Sequence, residues 1–161
     1  MKYVSVDFAT RHSAPWVAET VLHMVRVLPR QRQHVAVDVK YWDHLNVGDM
    51  PALPHWHLDC DQFDTSGTES EDLLLYSFGA GCRTQFLSED VEVGGPWPAT
   101  WTPPVPVFQA PEGRVVQYTR RHIHAASPAT RAGPRLLIRV AAGELIRPRD
   151  GFYTPYRRRA P

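Results

Sequence analysis

The segment Pro54–Asp61, PHWHLDCD, holds two histidines and two aspartates in eight residues, with Trp56 and Leu58 between them. In an extended chain successive side chains point to opposite faces, so His55, His57 and Asp59 share one face and Trp56 and Leu58 the other. An imidazole next to a carboxylate is a pair of metal ligands, or equally a hydrogen-bonded polar strand edge. One strand cannot surround a metal. A third ligand has to come from elsewhere in the fold.

The chain has eight histidines, and His12, His23, His34 and His44 fall in a helix, its approaches or early loops. His122 and His124 remain, in YTRRHIHAASP near the end of a strand. Two histidines and one aspartate on one side of a metal leave the opposite positions open, the arrangement of non-haem Fe(II) sites. Downstream, a Ser-Pro turn and a Gly-Pro turn precede Arg135, which opens the apolar strand RLLIRVA. A guanidinium entering the pocket there would grip a carboxylate through two parallel N–H bonds.

The elements that must carry these residues are short. KYVSVDF alternates and predicts a first strand. Ser13 is placed to cap a helix that begins at Pro15 and ends at Pro29, with Trp16, Val17, Val21, Leu22, Val25 and Leu28 on its buried face. HVAVDVKYW puts Val35, Val37, Val39 and Tyr41 on one side, and DLLLYSF, RTQFL, GRVVQYT and RLLIRVA read as further strands. One helix, six or more short strands and 15 prolines predict a mostly β fold, a two-sheet barrel or jelly roll with the N-terminal helix packed outside one sheet. Two loops, Asp61–Glu71 and Ser88–Gly113, are candidates to cover a site, the second carrying Trp97 and Trp101.

At 161 residues, 43% hydrophobic and 22% charged, the chain fits a single soluble domain. No apolar run approaches the roughly 20 residues of a membrane span. Asp7 and Arg11 interrupt the start where a signal peptide needs an apolar stretch, so a cytoplasmic location is expected, the host cytoplasm if the chain is phage-encoded. Cys60 and Cys82 are expected as reduced thiols, with Cys60 facing the core. The net charge of +1 hides an asymmetry, because the residues from Pro111 onward carry 11 arginines against 3 acids. That basic C-terminal part, ending in YRRRAP, permits nucleic-acid contacts, although a terminal arginine run reads first as a solvated tail.

Taken together these residues resemble the Fe(II)- and 2-oxoglutarate-dependent dioxygenases, in their prolyl-hydroxylase-like branch. His57 and Asp59 match that family's H-x-D pair, and GCRTQF (Gly81–Phe86) its G-x-T-x-F turn. PEGRVVQY matches the turn and strand before the distal histidine. His124 then has Pro128 four residues on and Arg135 eleven residues on. The likeness runs from about Pro54 to Val140.

The resemblance implies a double-stranded β-helix with Fe(II) held by His57, Asp59 and His124. It implies 2-oxoglutarate paired through its far carboxylate with Arg135 and assisted by Tyr76, and O2 as co-reactant. The implied reaction is hydroxylation with release of succinate and CO2. The substrate is a small molecule or a nucleobase, with nucleic acid weakly supported and no membrane partner. The implied layout is one domain over 1–161: an N-terminal strand, helix and strand over 1–50, a metal-binding core over 51–141 and a basic tail over 142–161. Two other readings stand beside it. One is a cupin-like metalloprotein in which His55, His57 and His124 bind the metal without 2-oxoglutarate; the other is a non-catalytic jelly-roll binding module.

Overall fold

The computed structural model describes residues 3–29, 34–51, 56–57, 72–88, 102–103, 105–119, 122–143 and 146–152. The fold is mostly β, two antiparallel sheets with two helices. Helix α1 spans Val6–Arg11 and α2 spans Pro15–Arg26; the strands are β1 (His34–Leu45), β2 (Asp72–Phe78), β3 (Thr84–Leu87), β4 (Val107–Gln109), β5 (Val115–Tyr118), β6 (His124–Ala126) and β7 (Gly133–Gly143). Among the described residues no helix is long and apolar enough to cross a membrane.

The first segment departs from its alternating pattern. Among its described residues only Val4 pairs as a strand residue, bridging Val37, and from Val6 the chain is helical. The reason is local: the Ser5 hydroxyl accepts a hydrogen bond from the Phe8 amide at 3.1 Å, and Asp7 lies in the first turn, where helix-end charge favours a carboxylate. Helix α2 begins at Pro15 as expected, but its N-cap is Ala14, which has no side chain to serve as a cap. Val17, Val21 and Met24 are its buried residues, whereas Trp16 and Leu22 are exposed. These buried side chains pack with Val37, Val39, Leu74, Leu136, Ile138 and Val140 on the outer face of a four-stranded sheet. Burial of each such aliphatic side chain contributes about 1.5–3 kcal/mol.

That sheet has the order β1-β7-β2-β5, and the second has the order β4-β3-β6. His57 extends the second sheet through an isolated antiparallel bridge to His124. The pairs are nested: β1 with β7, His57 with β6, β2 with β5, and β3 with β4. The chain therefore runs as one long hairpin laid alternately into two sheets. Ala36, Leu73, Leu75, Tyr118, Leu137 and Ala141 of the first sheet meet Phe86 of the second in a common core.

Residues 142–161 were expected as a tail, and the described part of them is not one. Strand β7 continues to Gly143, and Ile146 is fully buried in the inter-sheet core. The Arg149 amide donates to the Tyr3 carbonyl at 2.9 Å, and the Ser5 amide donates to the Asp150 carboxylate at 2.7 Å. The boundary drawn at residue 50 likewise separates nothing, since β1 is a strand of the same sheet as β7. Strand β4 lies inside the segment read as a long loop.

Candidate functional site

His57 and His124 are cross-strand neighbours. Each backbone amide donates to the other's carbonyl at 2.9 Å, and the two imidazole centroids are 4.5 Å apart. His124 is buried, with Phe86 at 5.6 Å and Tyr118 edge-on at 5.5 Å, both residues of the inter-sheet core. The flanking side chains point the other way, Trp56 packing with Leu87, Ile123 and Ala125 on the outside of the second sheet. Alternation thus aims both histidines between the sheets.

His124 Nδ1 lies 3.0 Å from the His122 carbonyl oxygen. A carbonyl only accepts, so Nδ1 is the donor in this contact, which leaves Nε2 as the nitrogen placed to ligate a metal. His122 itself is not beside His124 on a strand face. It closes a turn, its amide donating to the Thr119 carbonyl at 3.0 Å and its Nδ1 accepting from the Thr119 amide at 3.1 Å, with an exposed ring. Its contribution is a backbone carbonyl that orients its neighbour.

Arg135 is one of the largest fully buried side chains, at 2% exposure. It is the third residue of β7, lies opposite Trp42 and shares a face with Leu137 and Ala141, so it too points between the sheets. Its guanidinium carbon lies 4.9 Å from the centroid of the Trp42 ring. Its Nε and Nη1 are buried without a hydrogen-bond partner. Burial pulls Arg135 below the usual arginine range, opposed by the nearby Cys82 and Glu112. A buried guanidinium with two unmet donors is expensive, and its natural complement is an anion.

Ser77, which the sequence reading passed over, belongs with it. Ser77 is 2% exposed, sits opposite Leu137 in the β2–β7 register, and its hydroxyl is also buried without a partner. Two unsatisfied donor groups therefore lie on the inner face of adjacent strands. The turn after β2 brings the strands close there: a Cβ on Gly79, whose φ is +95°, would lie 2.3 Å from the Pro134 carbonyl oxygen. Cys82 is a free, buried thiol in this region, and burial pushes it above the usual thiol range.

Tyr76 requires a correction. It lies opposite Ile138 and packs on the helix-covered face of the sheet, away from Arg135 and His124. The phase of β2 decides this, because Leu73, Leu75 and Ser77 take the inner face and Leu74 and Tyr76 the outer one. The inward tyrosine is Tyr118, stacked against Phe86 at 5.2 Å and against His124.

No protein-family model matches the chain, and no curated protein matches it. Its own geometry has to carry the reading.

Asp59 and His55 lie outside the described residues, as do Cys60, the loop 61–71, and Trp97 and Trp101. Among the described residues no group of three or more His, Cys, Asp or Glu side chains is gathered to hold a metal. What these residues bring together is a histidine pair on one sheet and a buried arginine–serine pair on the other.

Proposed function

We propose that the protein is a non-haem Fe(II)- and 2-oxoglutarate-dependent oxygenase that hydroxylates a small-molecule or nucleobase substrate and releases succinate and CO2. The observation that carries this reading is Arg135: a cation buried between the sheets, its Nε and Nη1 unmet, on the same core that His124 enters. The nested pairing of strands laid alternately into two sheets supports a double-stranded β-helix as the frame.

The donors fit the metal. Two imidazoles and one carboxylate, His57, His124 and Asp59, suit Fe(II) with open positions, and the His124 Nδ1 contact to the His122 carbonyl leaves Nε2 for ligation. When bound, Fe(II) would supply the activation of O2 coupled to oxidative decarboxylation of 2-oxoglutarate, one oxygen atom going to succinate and the other to the substrate hydroxyl. The protein's own part is positional. Arg135 pairs the far carboxylate of the cosubstrate, and the Ser77 hydroxyl donates to the same group. The Trp42 face holds the guanidinium in place, while Phe86 and Tyr118 keep water from the imidazoles.

The test is anaerobic titration of the protein with Fe(II) and 2-oxoglutarate, watching the visible charge-transfer band of the chelate. The band is expected in the wild type and lost in His57→Ala and Asp59→Ala. Arg135→Ala should keep Fe(II) binding and lose the band. If Arg135→Ala leaves both unchanged, the cupin-like reading replaces this one; if no Fe(II) binds at all, a binding module does.

A further inference from the structure

On the far side of the first sheet from the histidines, α2 does not cover the β5 edge. The gap is a groove of about 870 Å³ between the helix and the outer faces of β2 and β5. That volume is in the range of small-molecule sites. The helix wall brings Trp16, which is half exposed, together with His23 and Arg26. The sheet wall brings Tyr76, Arg114 and Gln117.

We propose that this groove binds a nucleotide, its phosphate held between Arg26 and Arg114 on the two walls and its base against the Trp16 and Tyr76 rings. The charge fits: two arginines and a histidine line the groove against one acid, Glu19. Among the described residues neither arginine forms an ion pair; Arg26 Nε donates to the Leu22 carbonyl at 3.3 Å, which leaves its two Nη groups, and the Arg114 guanidinium, to meet an anion. Arginines approaching from opposite sides suit a compact, doubly charged phosphate better than a single carboxylate. Aromatic rings in a basic groove give a base its stacking surface, and Gln117 and Thr20 supply hydrogen-bonding groups at the rim. The rings and charges are gathered in one cavity instead of strung along an edge, which favours a nucleotide over an extended acidic peptide.

The experiment is calorimetric titration of the whole protein with adenosine 5′-monophosphate, adenosine, inorganic phosphate and tetraglutamate, at low and high salt. Adenosine 5′-monophosphate should saturate, weaken as salt rises, and be displaced by phosphate; adenosine should bind more weakly. The double variant Arg26→Ala/Arg114→Ala replaces exposed residues and should keep its melting temperature while raising the Kd at least tenfold. Trp16→Ala should weaken binding several-fold. The proposal is overturned if the nucleotide fails to saturate at millimolar concentration, if the double variant binds it unchanged, or if tetraglutamate binds as tightly. Loss of nucleotide binding in Arg135→Met would also overturn it, by moving the ligand to the interior of the sandwich. None of these outcomes depends on Fe(II) or 2-oxoglutarate.

Discussion

His57 and His124, 67 positions apart in sequence, exchange both backbone hydrogen bonds at 2.9 Å, so the backbone and not a bound ion brings the two imidazoles together. The orientation of His124 is set by the carbonyl of His122, a group that survives any change of that side chain. His122→Ala is therefore expected to change Fe(II) affinity by well under the 10–100-fold that loss of a ligand-orienting partner costs. His124→Ala should abolish the chelate band. Titration of the two variants side by side distinguishes a ligand from its neighbour.

Arg135 sets function against stability. Its unmet Nε and Nη1 cost folding energy in the ligand-free protein. Arg135→Met should raise ligand-free stability by about 1–3 kcal/mol, the penalty of an unsatisfied buried group, while removing 2-oxoglutarate binding. Urea unfolding with and without the cosubstrate reads both effects, and added 2-oxoglutarate should stabilise only the wild type.

Gly79 is the residue that lets β2 end beside the start of β7. Gly79→Ala combines a positive φ with a Cβ 2.3 Å from the Pro134 carbonyl oxygen and 3.3 Å from the Arg135 Cα. The expected cost is at least the roughly 1–3 kcal/mol of a strained backbone position. The cosubstrate Kd should rise with it, because the clash moves the strand that carries Arg135. Chemical denaturation and the chelate titration measure the two separately.

Asp38 and Arg139 face each other directly across β1 and β7, with Arg139 Nη2 2.7 Å and Nε 3.1 Å from one carboxylate oxygen, and Lys40 at 3.5 Å from it. Asp38 is fully buried, so Asp38→Ala removes the carboxylate facing a buried guanidinium and should cost about 3–5 kcal/mol. Replacing both partners, Asp38→Leu with Arg139→Met, should recover most of that loss in the same denaturation assay.

Cys82 gives the protein an alkaline signature. Burial raises its thiol above the usual range, so the folded state holds this proton to higher pH than the unfolded chain does. Its contribution is complete below the ordinary thiol pKa of about 8.5 and is lost as pH rises through the higher folded value. The melting temperature of the wild type should therefore fall more steeply above about pH 8.5 than that of Cys82→Ala, a comparison made by thermal melts across pH.

The strands were readable as short apolar or alternating runs bounded by turn residues. DLLLYSF became β2 with the same bounds, Asp72–Phe78. Its phase was not readable, since Leu73, Leu74 and Leu75 are apolar on both faces and the sheet is buried on both, by the second sheet and by α2. That ambiguity left the side of Tyr76, assigned from the family resemblance alone, unchecked and hid Ser77. Tyr118 could have been found from Val116, Tyr118 and the polar Gln117 between them. Strand β4 left no trace in the pattern, all three of its residues being exposed. Ile146 was overlooked as one apolar residue in an arginine-rich stretch, although the inter-sheet core closes over it.

The nested pairing also governs how the chain reaches its fold. His34 finds its partner at Gly143, and direct closure of a loop that long costs far more entropy than joining β3 to β4. If the inner pairs close first, each shortens the effective loop of the pair outside it, and the β1–β7 seam becomes the last to zip. Dominance of such distant contacts places this domain among slow folders, in the millisecond-to-second range. On that order the contacts joining Tyr3 to Arg149 and Ser5 to Asp150 form late, and among the described residues they are expected to open before the β2–β5 pair.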